Sequence, residues 1–350
     1  MRVVVTGARG QLGRSLALTC PPGLDGDVVW ADRSLLDVTD PAAVAASPAL
    51  AGADVVLNCA AFTDVDGAEE EPGRTSAEAA NATAPGLIAR RCAEEGARLV
   101  HVSTDYVFGD AVLDDAAHAD AAGSRPVLDD AAPGGVAGSE GVAGSEGVAG
   151  SGAAVPAGAR PLLPGDPTSP QTVYGRTKLA GERAALAACP QTTVVRTAWV
   201  YSGDTLPEHK DFVSTMLRLA RGGVDPKVVD DQFGSPTFAP DLARALWRLV
   251  LEGGGAAAAA AADAVGAAHA GTDTDTAGRV LHGVGAGWTS WYLLAREVFA
   301  AAGFDPDRVS PVDTAGYPTR AKRPRWSVLA PDLELPEWRT GVARAVAARL

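Results

Sequence analysis

The chain has 350 residues, 47% apolar and 21% charged, and 30 Lys and Arg against 43 Asp and Glu give a net charge of −13. That composition supports a buried globular core, and the acidic balance argues against a general nucleic-acid or anionic-membrane surface. An anionic small substrate would then need a local basic pocket.

The N-terminal run at residues 2–6 (RVVVT) is too short for a signal peptide and passes straight into a glycine turn. Outside alanine-rich tracts no run reaches the roughly 18 apolar residues of a membrane span. Cys20, Cys59, Cys92 and Cys189 are scattered, with no CxxC spacing. The expectation is a cytoplasmic protein whose partners are neither nucleic acid nor membrane.

In chain order, residues 2–6, 27–31 (DVVWA), 54–59 (DVVLNC) and 97–103 (ARLVHVS) read as buried strands, with helices near 11–19, 41–47 and 77–95 between them. Such alternation predicts an α/β fold with a Rossmann-like, doubly wound parallel sheet. The pattern breaks at about 110–165. Residues 135–152 carry GVAGSE twice and then GVAGS, which bury almost nothing and predict a disordered surface insertion dispensable for chemistry. A helix at 172–188 and a strand at 192–200 follow, then an expected helix at 235–252 returning to the first domain. A glycine and polyalanine run occupies 253–262. The domains expected are 1–201 for the dinucleotide and a smaller discontinuous α/β domain, 202–234 with 263–350, for the substrate.

The first strand ends in Gly7-Ala8-Arg9-Gly10-Gln11-Leu12-Gly13. There Gly7 allows a tight turn, Gly10 lets a pyrophosphate approach, and Gly13 permits close helix packing. The helix that opens at Gln11 and Leu12 presents free N–H groups to the phosphates. After the second strand, Asp32 suits ribose hydroxyls and Arg33 suits a 2′-phosphate, which leaves NADH and NADPH both open. Asp37 and Val38 are expected over the adenine. The segment from Asn58 to Asp66 ends another strand; small Ala60 and Ala61 leave room for coenzyme, Thr63 joins them, and Val65 faces the substrate. Asn81 is equally readable as a local backbone partner.

Tyr174 and Lys178 lie four apart, on one helix face. The ammonium is expected to favour the phenolate, making Tyr174 a usable proton donor and acceptor, and to hold the nicotinamide ribose. Ser103-Thr104-Asp105-Tyr106 sits at the carboxyl end of a strand, where open parallel sheets bind ligands. Thr104 is expected beside Tyr174 at the reacting oxygen, with Asp105 and Tyr106 facing a sugar.

Read together and in order, GARGQLG, NCAAFTDVDGAE, STDYVF, YGRTKLAGE, RTAWVY, DQFGSPT and RAKRPRWSVL resemble the dTDP-4-dehydrorhamnose reductases of the extended short-chain dehydrogenase/reductase class, across nearly the whole chain except the two insertions. The resemblance implies a catalytic trio of Thr104, Tyr174 and Lys178 and a coenzyme that is NADPH or NADH. Hydride would pass from nicotinamide to C4 of dTDP-4-dehydro-L-rhamnose while Tyr174 protonates the oxygen. On the substrate side, Arg320, Lys322, Arg323 and Arg325 form a basic cluster whose guanidinium forks suit a diphosphate, and Arg323 is the residue assigned to it. Gln232 in a compact turn and Trp199 at a strand end are assigned to the same substrate. Trp288, Trp291 and Tyr292 read as packing.

Some members of this family form dimers bridged by magnesium held on acidic side chains. An acid expected early in the first helix is Ser15 here, so the sequence does not support the metal, and monomer and homodimer both stay open. Two other readings compete. A nucleotide-sugar epimerase or dehydratase would use the same Tyr and Lys with retained NAD, although Asp105-Tyr106 lacks the second acid expected of a dehydratase. A non-catalytic regulatory subunit would keep the fold, and the intact trio argues against it.

Overall fold

The computed structural model describes residues 1–24, 26–111, 113, 154–252 and 278–348. The GVAGSE repeat and the polyalanine run lie outside the described residues.

Five strands follow the expected alternation: β1 (Val3–Thr6), β2 (Val28–Ala31), β3 (Val55–Asn58), β4 (Arg98–Thr104) and β5 (Thr192–Thr197). Valines dominate β1, β3 and the middle of β5 because both faces of a parallel sheet are covered. On one face α1 (Gln11–Leu18) packs with the later helix Ala239–Glu252, sharing Leu16, Leu242, Leu246 and Trp247. The Trp247 indole donates to the Leu16 carbonyl at 3.0 Å, so the bulkiest buried ring keeps its polar atom satisfied. The other face carries Ala84–Glu95 and Val173–Ala188, sharing Ile88, Ala89, Cys92 and Ala185.

The sequence reading missed one strand of this sheet. Arg279–His282 pairs in parallel with β5, giving the spatial order Arg279–His282, β5, β4, β3, β1, β2. These four residues fall within 263–350, a stretch assigned above wholly to the smaller domain. An edge strand this short shows no periodicity, and it acquires its register only from the neighbour it pairs with.

The expected helix at 77–95 is not continuous. A short helix, Gly73–Ala77, runs into a π-helical turn, Glu78–Thr83, and then Ala84–Glu95. Asn81 sits in the wide turn. Its amide accepts from Phe62 N at 2.9 Å and donates to Phe62 O at 3.0 Å, locking the loop after β3. Pro85 lacks an amide hydrogen, which also disfavours a regular ladder here.

A second core gathers Val213, Leu217, Tyr292, Leu294, Phe299, Trp338 and Val342 from the helices Phe212–Arg221, Trp291–Ala301 and Trp338–Ala347. Beside it a parallel pair joins Lys227–Val229 to Ser310–Val312. Residues 154–165 were expected inside the disordered insertion; instead they are ordered. Leu162 is buried, exchanges backbone hydrogen bonds with Val328 and Ala330 at 2.8 and 2.9 Å, and Arg160 forks onto Asp166. Burial of Leu162, its backbone pairing and the Arg160 fork together hold a segment whose composition alone does not suggest order.

Candidate active site

The carboxyl ends of β1 to β5 open onto one cavity of about 1000 Å³, lined by residues from every one of these strand ends. That is where open parallel sheets take ligands, because the diverging crossovers leave a crevice there.

Its first wall is the glycine turn. Gly7 has φ +67°, and a Cβ there would lie 2.7 Å from the Ala60 nitrogen. A Cβ at Gly13 would lie 2.5 Å from the Gly7 oxygen, so the helix can close on the strand only without a side chain. The N-cap of α1 is Gly10, with no side chain to cap it, which leaves N–H groups of Gln11, Leu12 and Gly13 at the cavity wall. An anion fits such a terminus. Gln11 additionally ties the turn to the opposite wall, its amide donating to Ser202 at 3.0 Å and Asp211 at 2.9 Å.

At one end of the cavity stand Asp32, Arg33, Asp37 and Val38. Asp32 is held by Arg9 at 2.6 Å and by the Ser34 hydroxyl at 2.5 Å, and the Ser34 bond is the main reason its carboxyl lies below the usual range. Arg33 is exposed and only loosely paired with Asp37, at 3.8 Å. Ala60, Ala61, Thr63 and Val65 line the floor beyond the turn.

Thr104, Tyr174 and Lys178 meet in the middle. Val173–Ala188 starts from a Thr172 cap that accepts from Gly175 N at 2.9 Å, and this fixes the turn carrying Tyr174. The phenol and the Thr104 hydroxyl line the same cavity, and Thr104 acts on the phenol. Thr104 in turn donates to Asp105 at 2.9 Å and accepts from Tyr106 N at 3.2 Å. Lys178 is buried and donates to the Val102 carbonyl at 2.6 Å. Burial lowers it to about 8, opposed by Glu182 and Cys59.

One expectation is corrected. Tyr174 is not drawn toward phenolate: burial pushes it up to about 12, the Thr104 bond pulls the other way, and Lys178 is not among the groups acting on it. Desolvation of the anion outweighs an ammonium that is itself partly desolvated. At neutral pH the group is a phenol, which is the form that can give a proton.

Asp105 and Tyr106 both line the cavity, yet Asp105 is 2% exposed and its carboxyl is pushed up to about 6 by burial, against the hydrogen bond from Thr104. Tyr106 stands edge-on to Tyr174, with ring centroids 5.6 Å apart. Trp199 also lines the cavity, with φ 47°, rare for a bulky residue. Its indole stacks flat on Trp291 at 3.5 Å, and Gly234 supplies the gap that the ring fills. Gln232 and Arg323 are not among the lining residues. Gln232 donates to Thr314 at 3.0 Å, and Arg323 forks onto Asp66.

The sequence reading overlooked several lining residues: Cys59, His209, Lys210, Asp211, Phe212 and Trp291. Trp291 read as packing because it opens an amphipathic helix. Nothing local distinguishes a tryptophan that packs from one that packs and also walls a cavity.

This is a dinucleotide-binding α/β fold with a Tyr/Lys/Thr cluster at the sheet edge. The chain matches the family described as the RmlD substrate binding domain over residues 1–155 and 151–350, and it belongs to that family. It is 41% identical over 355 residues to a dTDP-4-dehydrorhamnose reductase of Mycobacterium tuberculosis, covering 99% of this chain and 93% of that one. Among solved structures, a dTDP-4-dehydrorhamnose reductase from Clostridium acetobutylicum superposes with TM-score 0.71 at 30% identity, covering 99% of each chain. Another, from Bacillus anthracis in complex with NADP, gives TM-score 0.71 at 26% identity, covering 99% of this chain and 98% of that one. Among the described residues no helix is long and apolar enough to cross a membrane.

Proposed function

We propose that the chain reduces the 4-keto group of dTDP-4-dehydro-L-rhamnose to dTDP-L-rhamnose, using NADPH or NADH, in the cytoplasm. The observation that carries this reading is Tyr174 and Thr104 lining one cavity, with Lys178 buried one helical turn from the phenol and the uncapped glycine turn in the same wall. The names of the relatives support the same substrate, and the NADP in the Bacillus anthracis structure supports the coenzyme class.

A reduced nicotinamide, when bound, supplies hydride to the ketone carbon. Tyr174 gives the matching proton to the oxygen, and the C=O becomes CH–OH. Thr104 spends its own proton on Asp105, so its oxygen accepts from Tyr174 and aims the phenol. Lys178, buried at the same cavity, would offer further N–H donors to ribose hydroxyls. Gly7, Gly10, Gln11, Leu12 and Gly13 would take the pyrophosphate, with Asp32, Arg33, Asp37 and Val38 around the adenosine. Val65, Asp105, Tyr106 and Trp199 are proposed for the sugar nucleotide. In domain terms, residues 1–201 and 235–252 would hold coenzyme, and most of the remainder would hold substrate.

The test supplies the purified chain with the 4-keto sugar made by dehydrating and epimerising dTDP-glucose, and follows the absorbance of NADPH and of NADH. Coenzyme oxidation matched by dTDP-rhamnose formation is expected. No oxidation of either coenzyme overturns the reading. Sugar conversion with retained NAD and no added reductant would assign an epimerase or dehydratase instead.

A further inference from the structure

The cavity has a second wall facing the glycine turn, formed by the segment that leads into the helix Phe212–Arg221. Asp211 joins the two walls. Its Oδ2 accepts from Gln11 Nε2 at 2.9 Å, Ser202 N at 2.8 Å, Ser202 Oγ at 2.9 Å and Gly203 N at 3.0 Å. Its Oδ1 accepts from Ser214 N at 2.8 Å and so caps the helix. Gln11 Nε2 also donates to Ser202 Oγ at 3.0 Å. The Asp211 charge is therefore answered by donors of the chain itself, the start of the helix it caps among them. The segment is anchored behind as well: Gly203 has φ +54°, and a Cβ there would lie 2.9 Å from the Ala345 Cβ in the second core. Arg14 and Glu208 add an exposed ion pair between the same walls, which contributes little.

Lys210 immediately precedes Asp211 and lines the same cavity as Gly7, Gly10 and Gln11. Its backbone is fixed one residue from the carboxylate that holds Gln11, the first residue of α1. The other cations of the cavity are engaged or stand elsewhere. Arg9 pairs with Asp32 at 2.6 Å, Lys178 donates to the Val102 carbonyl at 2.6 Å, and Arg33 stands beside Asp37 at the far end. Among the described residues no hydrogen bond or ion pair engages the Lys210 ammonium. Burial holds the neighbouring His209 below its ordinary value, so at neutral pH the positive charge of this wall belongs to Lys210. The glycine turn offers a diphosphate N–H groups and a helix dipole worth about half a unit charge, which leaves most of the anion's charge uncompensated. An ammonium on the facing wall supplies the rest.

We propose that Lys210 is a coenzyme-binding residue that meets the dinucleotide pyrophosphate from the wall opposite the glycine turn, and that the Gln11 side chain, through Asp211, holds it there. This assignment rests on the dinucleotide reading above. NADPH and NADH share the pyrophosphate, so Lys210 serves both alike; a residue at the 2′ position of the adenosine would separate them.

The experiment compares wild type, Lys210→Met, Lys210→Arg, Gln11→Met and the double variant Lys210→Met with Gln11→Met, all checked for folding by thermal melting. Fluorescence titration gives Kd for NADPH and for NADH at low and at high salt. Lys210→Met should raise both Kd values about 5- to 10-fold at low salt and by a smaller factor at high salt, where the lost attraction is already screened. Lys210→Arg keeps the charge and should stay within about 2-fold of wild type. Gln11→Met keeps the backbone N–H of the turn and should raise both Kd values about 3- to 5-fold, yet add less than about 2-fold in the Lys210→Met background. Unchanged coenzyme affinity in Lys210→Met overturns the proposal. A loss confined to NADPH overturns it too, by placing Lys210 at the 2′-phosphate, and so does an undiminished Gln11→Met effect in the double variant. Lys210 is exposed, so its two variants keep the fold and decide the matter even where Gln11→Met melts early. Wild type that binds neither coenzyme overturns the dinucleotide reading itself, whereas coenzyme binding indifferent to Lys210 removes this assignment alone.

Discussion

Replacing Asp105 with Asn should stabilise the protein, and by an amount that depends on pH. Asp105 is 2% exposed, and burial raises its carboxyl from the ordinary 3.8 to about 6, even with the hydrogen bond from Thr104 already acting in the other direction. A carboxyl raised on folding costs stability wherever it is charged. The cost is absent below the unfolded value, grows as pH rises from 3.8 to about 6, and is complete above that. A shift of about 2 pK units at about 1.4 kcal/mol each gives roughly 3 kcal/mol at about pH 8. At about pH 5 the folded carboxyl is still mostly protonated, and the cost is roughly half as large. Asparagine keeps an oxygen for the Thr104 hydroxyl and carries no charge, so the variant should be more stable by these amounts. Urea unfolding of both proteins at the two pH values measures the gap. A gap that does not widen between them, or a variant less stable at the higher pH, would refute the reasoning by showing that the local hydrogen bonds outweigh the burial of the charge. Natural chains keep such a destabilising group when the site needs it; here it fixes the direction of the Thr104 proton.

Two other expectations concern the chemistry. Tyr174→Phe removes the proton donor but little of the cavity surface, so turnover should fall about 10²- to 10⁴-fold with coenzyme affinity nearly unchanged, as read by fluorescence titration; retained turnover would end its assignment. Burial lowers Lys178 to about 8, so its charge is present below that pH and lost as pH rises through it. Wild-type kcat/KM should therefore decline above about pH 8, and a profile flat well beyond that value would show that the ammonium is not required.

Much of this protein was legible in the sequence because local rules govern those parts. Short valine-rich runs bounded by turn residues favour strands covered on both faces, a GxxGxxG turn after the first of them favours a closely packed helix, and a spacing of four puts Tyr174 and Lys178 on one side of any helix. What tertiary structure decided depends on groups far apart in the chain. Arg279–His282 became a strand only because β5 offered an edge. Trp291 became a cavity wall only because Trp199 lay across from it. The protonation of Tyr174 was misread for the same reason: a neighbouring charge is visible in sequence, whereas the water that burial removes is a property of everything packed around the group. Arg323 shows it most directly. In sequence it belongs to a basic cluster, but in the fold its charge is answered by Asp66, and that partner is chosen by three-dimensional proximity, which sequence spacing does not encode.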